Sequence, residues 1–193
     1  MFRYLIGIFV SWLIFTGSAY ADQNIRLIYG HQDQYSNNTV LDKATFKIIH
    51  DVDSQWDIDF RVTYGNAQNK DSTLLNYEIG TRYKKKVANG FILYARPEIG
   101  TIKISNQPWR NFIGLEVGTL LRPFENKKIG FKIDHAWTTG IDNSISDGTL
   151  TRFQTTYDIS AIQTVGVRYD QRRGNPVEFN TINFIYGLRF KGI

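Results

Sequence analysis

Charged side chains recur at every second position in much of this chain, and that spacing limits the chemistry they can do. The stretch "QWDIDFRVTY" places Asp57, Asp59 and Arg61 between apolar or aromatic residues. A period of two is that of a β-strand, whose alternate side chains share one face. Carboxylates and guanidinium groups aligned in this way can form ion pairs, line a path for ions, or supply acids and bases to a reaction.

The composition excludes or disfavours several other kinds of chemistry. The chain of 193 residues has no cysteine, which excludes disulfides, thiolate catalysis and cysteine-ligated metals. The sequence shows neither a cluster of metal ligands nor a phosphate-binding glycine loop, so we expect no cofactor. The net charge is +5, but the basic residues are spread along the chain, which disfavours nucleic acid as a partner. The one basic run, Lys84–Lys86, is typical of a solvated turn.

Alternation of apolar and polar residues occurs in ten segments and predicts an all-β protein. Most of these segments approach the ~9–11 residues that cross a bilayer at a tilt. The expected strands are Asn24–His31, Asp42–His50, Trp56–Tyr64, Leu74–Lys84, Gly90–Gly100, Trp109–Arg122, Lys128–Trp137, Leu150–Tyr157, Gln163–Asp170 and Phe179–Phe190.

The first 21 residues have a different character from the rest. "MFRYLIGIFVSWLIFTGSAYA" has one cation, Arg3, followed by a short apolar run and an Ala19-Tyr20-Ala21 end. This pattern predicts a cleaved signal peptide over residues 1–21, because the apolar run is shorter than a spanning helix. The exported part, residues 22–193, is then the folded domain.

The connections and the strand ends indicate which face of the sheet meets lipid. Longer polar connections alternate with shorter ones, which is typical of outer-membrane barrels. Aromatic residues end the apolar faces, as interfacial girdles do, at Tyr29, Trp56, Tyr64, Tyr83, Trp109, Trp137, Tyr157, Tyr169 and Phe190. We therefore predict a transmembrane antiparallel up-and-down β-barrel of about ten strands, with eight or twelve as alternatives, in the outer membrane of a Gram-negative bacterium. Its expected partners are outer-membrane lipid, lipopolysaccharide and the barrel-assembly machinery.

In such a barrel the charged face points into the lumen, where nine cations, including Arg26 and Arg110, outnumber seven anions, and Lys43 and Lys47 are expected to raise the number of cations to eleven. The residues expected to line a path for anions are Arg61, Arg82, Arg96, Arg152, Arg168, Arg189 and Lys132. The residues expected to pair with some of them are Glu78, Glu98, Glu116, Asp57, Asp59, Asp134 and Asp170. Surplus cations along a water path favour anionic solutes, whereas complete pairing merely fills the lumen. A narrow porin for small anions and a structural or adhesive barrel with a filled lumen both remain open.

Two central hairpins carry a resemblance to a known family. The segments "LLNYEIGTRYKKKVANGFILYARPEIG" and "WRNFIGLEVGTLLRPFENKKIGFKIDHAW" combine a Tyr/Glu-rich strand, a tight polar turn and a strand with proline in its middle. In these features the chain resembles the oligogalacturonate-specific porins of the KdgM type, which include sialic-acid channels. The resemblance implies passive uptake of acidic oligosaccharides along lumenal Arg and Lys residues.

Enzymatic barrels are a less favoured alternative. "DIDF" and "DHAW" offer Asp57, Asp59, Asp134 and His135, which are the residue types of an omptin-like protease site. A lipid A-modifying enzyme of the deacylase kind has a His-x-Ser arrangement, and here Trp137 stands in the serine position. Because such matches arise readily by chance, we expect no enzyme, and a role of His135 with Asp134 stays open.

Overall fold

The computed structural model describes residues 22–34, 39–68, 71–105, 107–123, 128–141, 147–174 and 178–190. The predicted signal peptide, residues 1–21, lies outside these described residues. No helix in the described part of the chain is long and apolar enough to cross a membrane.

Ten strands make up the fold, and every one of them follows a segment of alternating polarity. They are β1 (Gln23–Gln34), β2 (Thr39–Asp51), β3 (Trp56–Ala67), β4 (Thr73–Ala88), β5 (Phe91–Ile104), β6 (Arg110–Leu121), β7 (Ile129–Gly140), β8 (Gly148–Asp158), β9 (Gln163–Arg173) and β10 (Phe179–Phe190).

The strands form a closed antiparallel barrel. Each strand pairs with its neighbours in sequence, and β1 pairs with β10 over Gln23–Gln34 and Phe179–Phe190 to close the sheet. Closure leaves no sheet edge, so the backbone groups of every strand are paired within the sheet, as lipid surroundings require. The predicted transmembrane antiparallel barrel of ten strands is confirmed.

The two ends of the barrel differ in their connections. One end carries connections 52–55, 89–90, 122–128 and 159–162 and both ends of the described chain, and we call it the turn end. The other carries connections 35–38, 68–72, 105–109, 141–147 and 174–178, and we call it the loop end. The expected contrast in length between the two sets is small, because β1 and β2 continue into the polar residues that had suggested a long loop.

The two faces of the sheet carry different residue types. Large apolar and aromatic side chains are exposed on the outside, among them Tyr29, Trp56, Tyr64, Trp137 and Tyr157 near the strand ends. The alternate positions are buried inside the barrel and are mostly polar or charged. An apolar exterior with a polar interior is the reverse of a soluble barrel and matches one that faces lipid.

The expectation that the basic run Lys84–Lys86 forms a solvated turn is wrong. These residues lie within β4 rather than in a solvated turn, because β4 continues to Ala88 and the reversal occurs at Asn89 and Gly90. Gly90 has a φ of 75°, which glycine adopts without the steric cost that a side chain would impose. Lys84 consequently points into the barrel with Arg82, two positions before it.

We expect the folded protein to migrate faster than the unfolded protein on a gel in SDS unless it is boiled. A closed ladder offers the detergent no unpaired strand at which to begin unfolding. The measurement is gel mobility with and without boiling, combined with circular dichroism. Equal mobility together with a helical spectrum is incompatible with this fold.

Candidate functional site

The interior of the barrel collects the charged residues that the sequence had placed on one face. Among the expected lumen residues, Asp57, Asp59, Arg61, Arg96, Glu116, Asp134, Arg152 and Asp170 are buried. The side chains of Glu78, Arg82, Glu98, Lys132 and Arg168 are 6% to 16% exposed. Arg189 has the same inward parity on β10 and is half-buried.

Asp59 on β3 is the first of two centres of an ion-pair network. The guanidinium of Arg96 donates to both carboxylate oxygens of Asp59, from Nε and from one terminal nitrogen, each at 2.7 Å. Lys47, Arg61 and Arg82 also lie within 3.2 to 3.4 Å of this carboxylate. A bidentate Arg–carboxylate pair is among the stronger ion pairs in proteins, and it fixes the orientation of both groups.

Glu116 on β6 is the second centre. Its carboxylate accepts hydrogen bonds from Tyr94 at 2.8 Å and from Lys132 at 3.0 Å. Arg152 lies 2.5 Å away and Arg61 3.2 Å away. Arg61 therefore contacts both Asp59 and Glu116, and it joins the ion pairs of β3 and β6 into one network.

Further pairs extend the network without giving it a net charge. Arg96 also contacts Glu98, and Arg152 also contacts Asp134. Seven cations and seven anions are connected through ion pairs, namely Lys47, Arg61, Arg82, Lys84, Arg96, Lys132 and Arg152 with Asp51, Asp57, Asp59, Glu78, Glu98, Glu116 and Asp134. We call this set the central network. Arg96 and Glu116 are 0% exposed, so the network closes the lumen at its centre.

Two inward glycines make room for the central network. A β-carbon on Gly80 would lie 2.6 Å from the Arg96 guanidinium, and one on Gly118 would lie 2.6 Å from the side chain of Asp134. Real β-carbons do not approach other atoms so closely. Glycine at these strand positions therefore allows the large charged side chains of neighbouring strands to cross the barrel.

At the loop end the lumenal charge is not balanced. Arg168 binds Asp170 through two nitrogens, at 2.7 and 2.9 Å, and Lys43 lies 3.9 Å from the same carboxylate. Arg110 and Arg172 also point inward here, and neither has an ion pair within the described residues. Among the residues that the structure describes, this end therefore carries one lumenal carboxylate for four cations.

At the turn end the lumenal charge is also positive. Arg122 binds Asp158 at 2.7 Å, and Thr164 donates to the same carboxylate at 2.7 Å. Arg26 donates from Nε to the side-chain oxygen of Asn24 at 3.1 Å. In the part of the chain that the structure describes, neither Arg26 nor Arg189 forms an ion pair.

The residues of the enzymatic alternatives do not meet. Asp134 is buried in the central network, whereas His135 points outward, as neighbouring residues of a strand must. His135 Nδ1 lies 2.8 Å from the Thr151 hydroxyl, and its ring packs edge-on against Trp137 at 4.5 Å. Within the described residues, no group of three or more His, Asp or Glu is placed to hold a metal ion.

Several residues of the site were not among the sequence-based candidates. Lys84 and Asp51 belong to the central network, and Arg122 and Asp158 lie at the turn end. The position of Lys84, two residues after the inward Arg82, was a usable signal for this residue. Asp51 and Arg122 fall at predicted strand ends, where parity along the strand is hardest to assign.

No family model matches the chain, and no curated protein matches it in sequence. Solved structures do resemble it in fold. An outer-membrane channel from Pseudomonas putida F1 superimposes with a TM-score of 0.60 at 9% identity, covering 89% of this chain and 96% of that one. The beta domain of the Bordetella autotransporter BrkA gives 0.55 at 8% identity, covering 87% and 98%.

These likenesses show that the fold is that of outer-membrane β-barrels. A NanC porin structure covers 86% of this chain and 98% of its own at 9% identity, with a TM-score of 0.48. That score is too low to support a specific relation. The resemblance to oligogalacturonate-specific porins of the KdgM type is thus not confirmed.

Proposed function

We propose that this protein is a bacterial outer-membrane barrel that admits small anions into a narrow lumen. The observation that carries the proposal is the sign of the uncompensated lumenal charge. The central network is neutral. At both ends of the described lumen, cations outnumber carboxylates, so the remaining charge is positive. Since a low-dielectric wall focuses the field of like charges, both entrances favour anions over cations.

The central network sets the size of solute that can pass. With Arg96 and Glu116 fully buried, passage requires side chains of the network to move aside. Small anions need a smaller displacement than acidic oligosaccharides, which are the solutes that the resemblance implies. We therefore propose that small anions are the main solutes and that acidic sugars are the largest molecules that can pass.

A structural or adhesive barrel with a filled lumen is the second candidate. The observation that favours it is the same closure of the lumen by Asp59, Arg96 and Glu116, since a fully paired interior needs no solute. Conductance separates the two. An anion-selective current supports the porin, and a sealed bilayer at high protein load supports the structural barrel.

The proposed role requires no cofactor and no covalent step. We propose that the chain is not an enzyme, because Asp134 and His135 point to opposite faces of the sheet. Export through the predicted signal peptide, insertion by the barrel-assembly machinery and contact with lipopolysaccharide are parts of the same proposal. The outward aromatic side chains supply the lipid contact.

Replacing Arg110 and Arg172 together by glutamine is expected to reduce anion selectivity. Neither arginine has an ion pair within the described residues, so the barrel should keep its stability while its loop-end field weakens. The measurement is the reversal potential of the refolded protein in a planar bilayer under a salt gradient. Lys103→Gln is the matched control, because Lys103 points outward over the Trp109 ring at 5.9 Å. Equal selectivity of the double variant and the control contradicts the proposed mechanism.

A further inference from the structure

Two inward arginines stand side by side at the turn end, and neither forms an ion pair within the described ranges of the chain. Arg26 on β1 pairs in register with Gly187, and Arg189 on β10 pairs with Asn24, so the two are diagonal neighbours on the inner face. Diagonal neighbours across strands lie roughly 7–8 Å apart, within reach of long side chains. Both are half-buried. Their guanidinium groups can therefore converge on one ligand.

Charges of both signs surround this pair. Arg26 interacts with the like charges of Arg82 and Arg189, and less strongly with Asp57 and Asp59. Both carboxylates already bind Arg82, at 3.7 and 3.4 Å. The carboxylate of Asp158 interacts electrostatically with Arg189, but its hydrogen bonds are with Arg122 and Thr164. Half-buried like charges are stabilised by a counter-charge, and among the described residues neither arginine has a carboxylate within ion-pair distance.

The wall beside Arg26 has room that the central network lacks. A β-carbon on Gly187 would make only ordinary contacts, 3.5 Å from Arg26 Cγ and 3.7 Å from Thr164 Cβ. On Gly80 and Gly118 the same atom would lie 2.6 Å from its nearest neighbours. A side chain at Gly187 would thus fit against the stem of Arg26 without the close approach seen at Gly80 and Gly118.

We propose that Arg26 and Arg189 form a binding site for a phosphate group, either inorganic phosphate or a phosphate monoester. Asn24 holds Nε of Arg26, which leaves both terminal nitrogens to donate to phosphate oxygens in a fork. Arg189 approaches from the neighbouring strand and supplies the second cation. The site rests on the proposed function in that its ligand is an anion of the lumen, but it does not require the lumen to conduct.

The experiment is calorimetric titration of the refolded full barrel in detergent with inorganic phosphate at constant ionic strength. We expect saturable binding at one site per chain, and at least a tenfold weaker affinity in an Arg26→Gln, Arg189→Gln double variant. Lys103→Gln, which removes an outward cation, should bind as the unaltered protein does. Heat-modifiable gel mobility checks that every variant is folded.

A second variant keeps both arginines and fills the space beside them. Gly187→Val should also weaken phosphate binding at least tenfold, because its methyl groups extend beyond a β-carbon that already lies 3.5 Å from Arg26 Cγ and would displace the guanidinium group. The site is refuted if phosphate does not saturate the unaltered protein, or if both variants bind it equally well. Conductance is read separately. A sealed bilayer with intact phosphate binding refutes the porin and leaves the site, and an anion current without binding does the reverse.

Discussion

Glu116→Gln is expected to destabilise the folded barrel by about 3–5 kcal/mol, because it leaves buried cations without their shared partner. The carboxylate of Glu116 contacts Arg61, Lys132 and Arg152 within 3.2 Å. An amide at this position still accepts a hydrogen bond but carries no charge. Repulsion among the remaining cations then acts in a part of the lumen from which water is excluded. The measurement is the free energy of unfolding by urea in lipid vesicles.

The matched control is Glu178→Gln, the same chemical change at an exposed residue before β10. It should alter the free energy of unfolding by less than about 0.5 kcal/mol, as surface changes usually do. Removing the charges of Arg152 and Glu116 together should lower the free energy of unfolding by less than the sum of the two single changes. Each change removes part of the unpaired charge that the other one leaves behind. Equal effects of Glu116→Gln and Glu178→Gln would show that the central network does not hold the barrel together.

The fold was predictable because its two determinants are local. Alternation with a period of two identifies each strand and its faces, and aromatic residues such as Trp56 and Tyr157 mark where the apolar face ends. Strand ends were less predictable. Polar residues beyond the girdle, as in β1 and β2, continue to pair because closure of the sheet supplies each strand with two partners.

The composition of the site was predictable from parity, but its pairing was not. Asp59 and Arg96 are 37 residues apart, and their contact depends on how far each strand is shifted against the next. Arg96 and Arg189 have the same residue type and the same inward parity. One is sealed between Asp59, Glu98 and Glu116, and the other stands near the turn end without an ion pair among the described residues. Periodicity along one strand cannot distinguish these surroundings.

This difference changes which arginines can carry an anion path. Sequence reasoning treated Arg61, Arg82, Arg96 and Arg152 as equivalent to Arg168 and Arg189. The structure places the first four inside the neutral central network, where each has at least two carboxylate neighbours. A group paired in this way contributes little field to a solute. The field at the two entrances therefore comes from residues outside the network.

Leu115→Arg is expected to lower the free energy of unfolding by about 2–4 kcal/mol, the cost of an arginine on the lipid face near the bilayer midplane. Leu115 lies midway along β6, points outward and is 43% exposed. Val117→Arg, one outward position further along, should behave in the same way. The matched control is Ile141→Arg, which makes the same apolar-to-Arg change just past the loop end of β7, outside Trp137. Because the cost falls to about 0–1 kcal/mol near the interface, this control should remain close to the unaltered protein.

Gly118→Arg tests the opposite face, where the new side chain meets Asp134 and acts through crowding of the lumen. The measurement is urea unfolding in vesicles, repeated in detergent micelles. A difference between Leu115 and Ile141 that is large in vesicles and small in micelles assigns the cost to bilayer depth. If Leu115→Arg and Val117→Arg are harmless in vesicles, the apolar face does not meet lipid, and the charged interior loses its membrane setting.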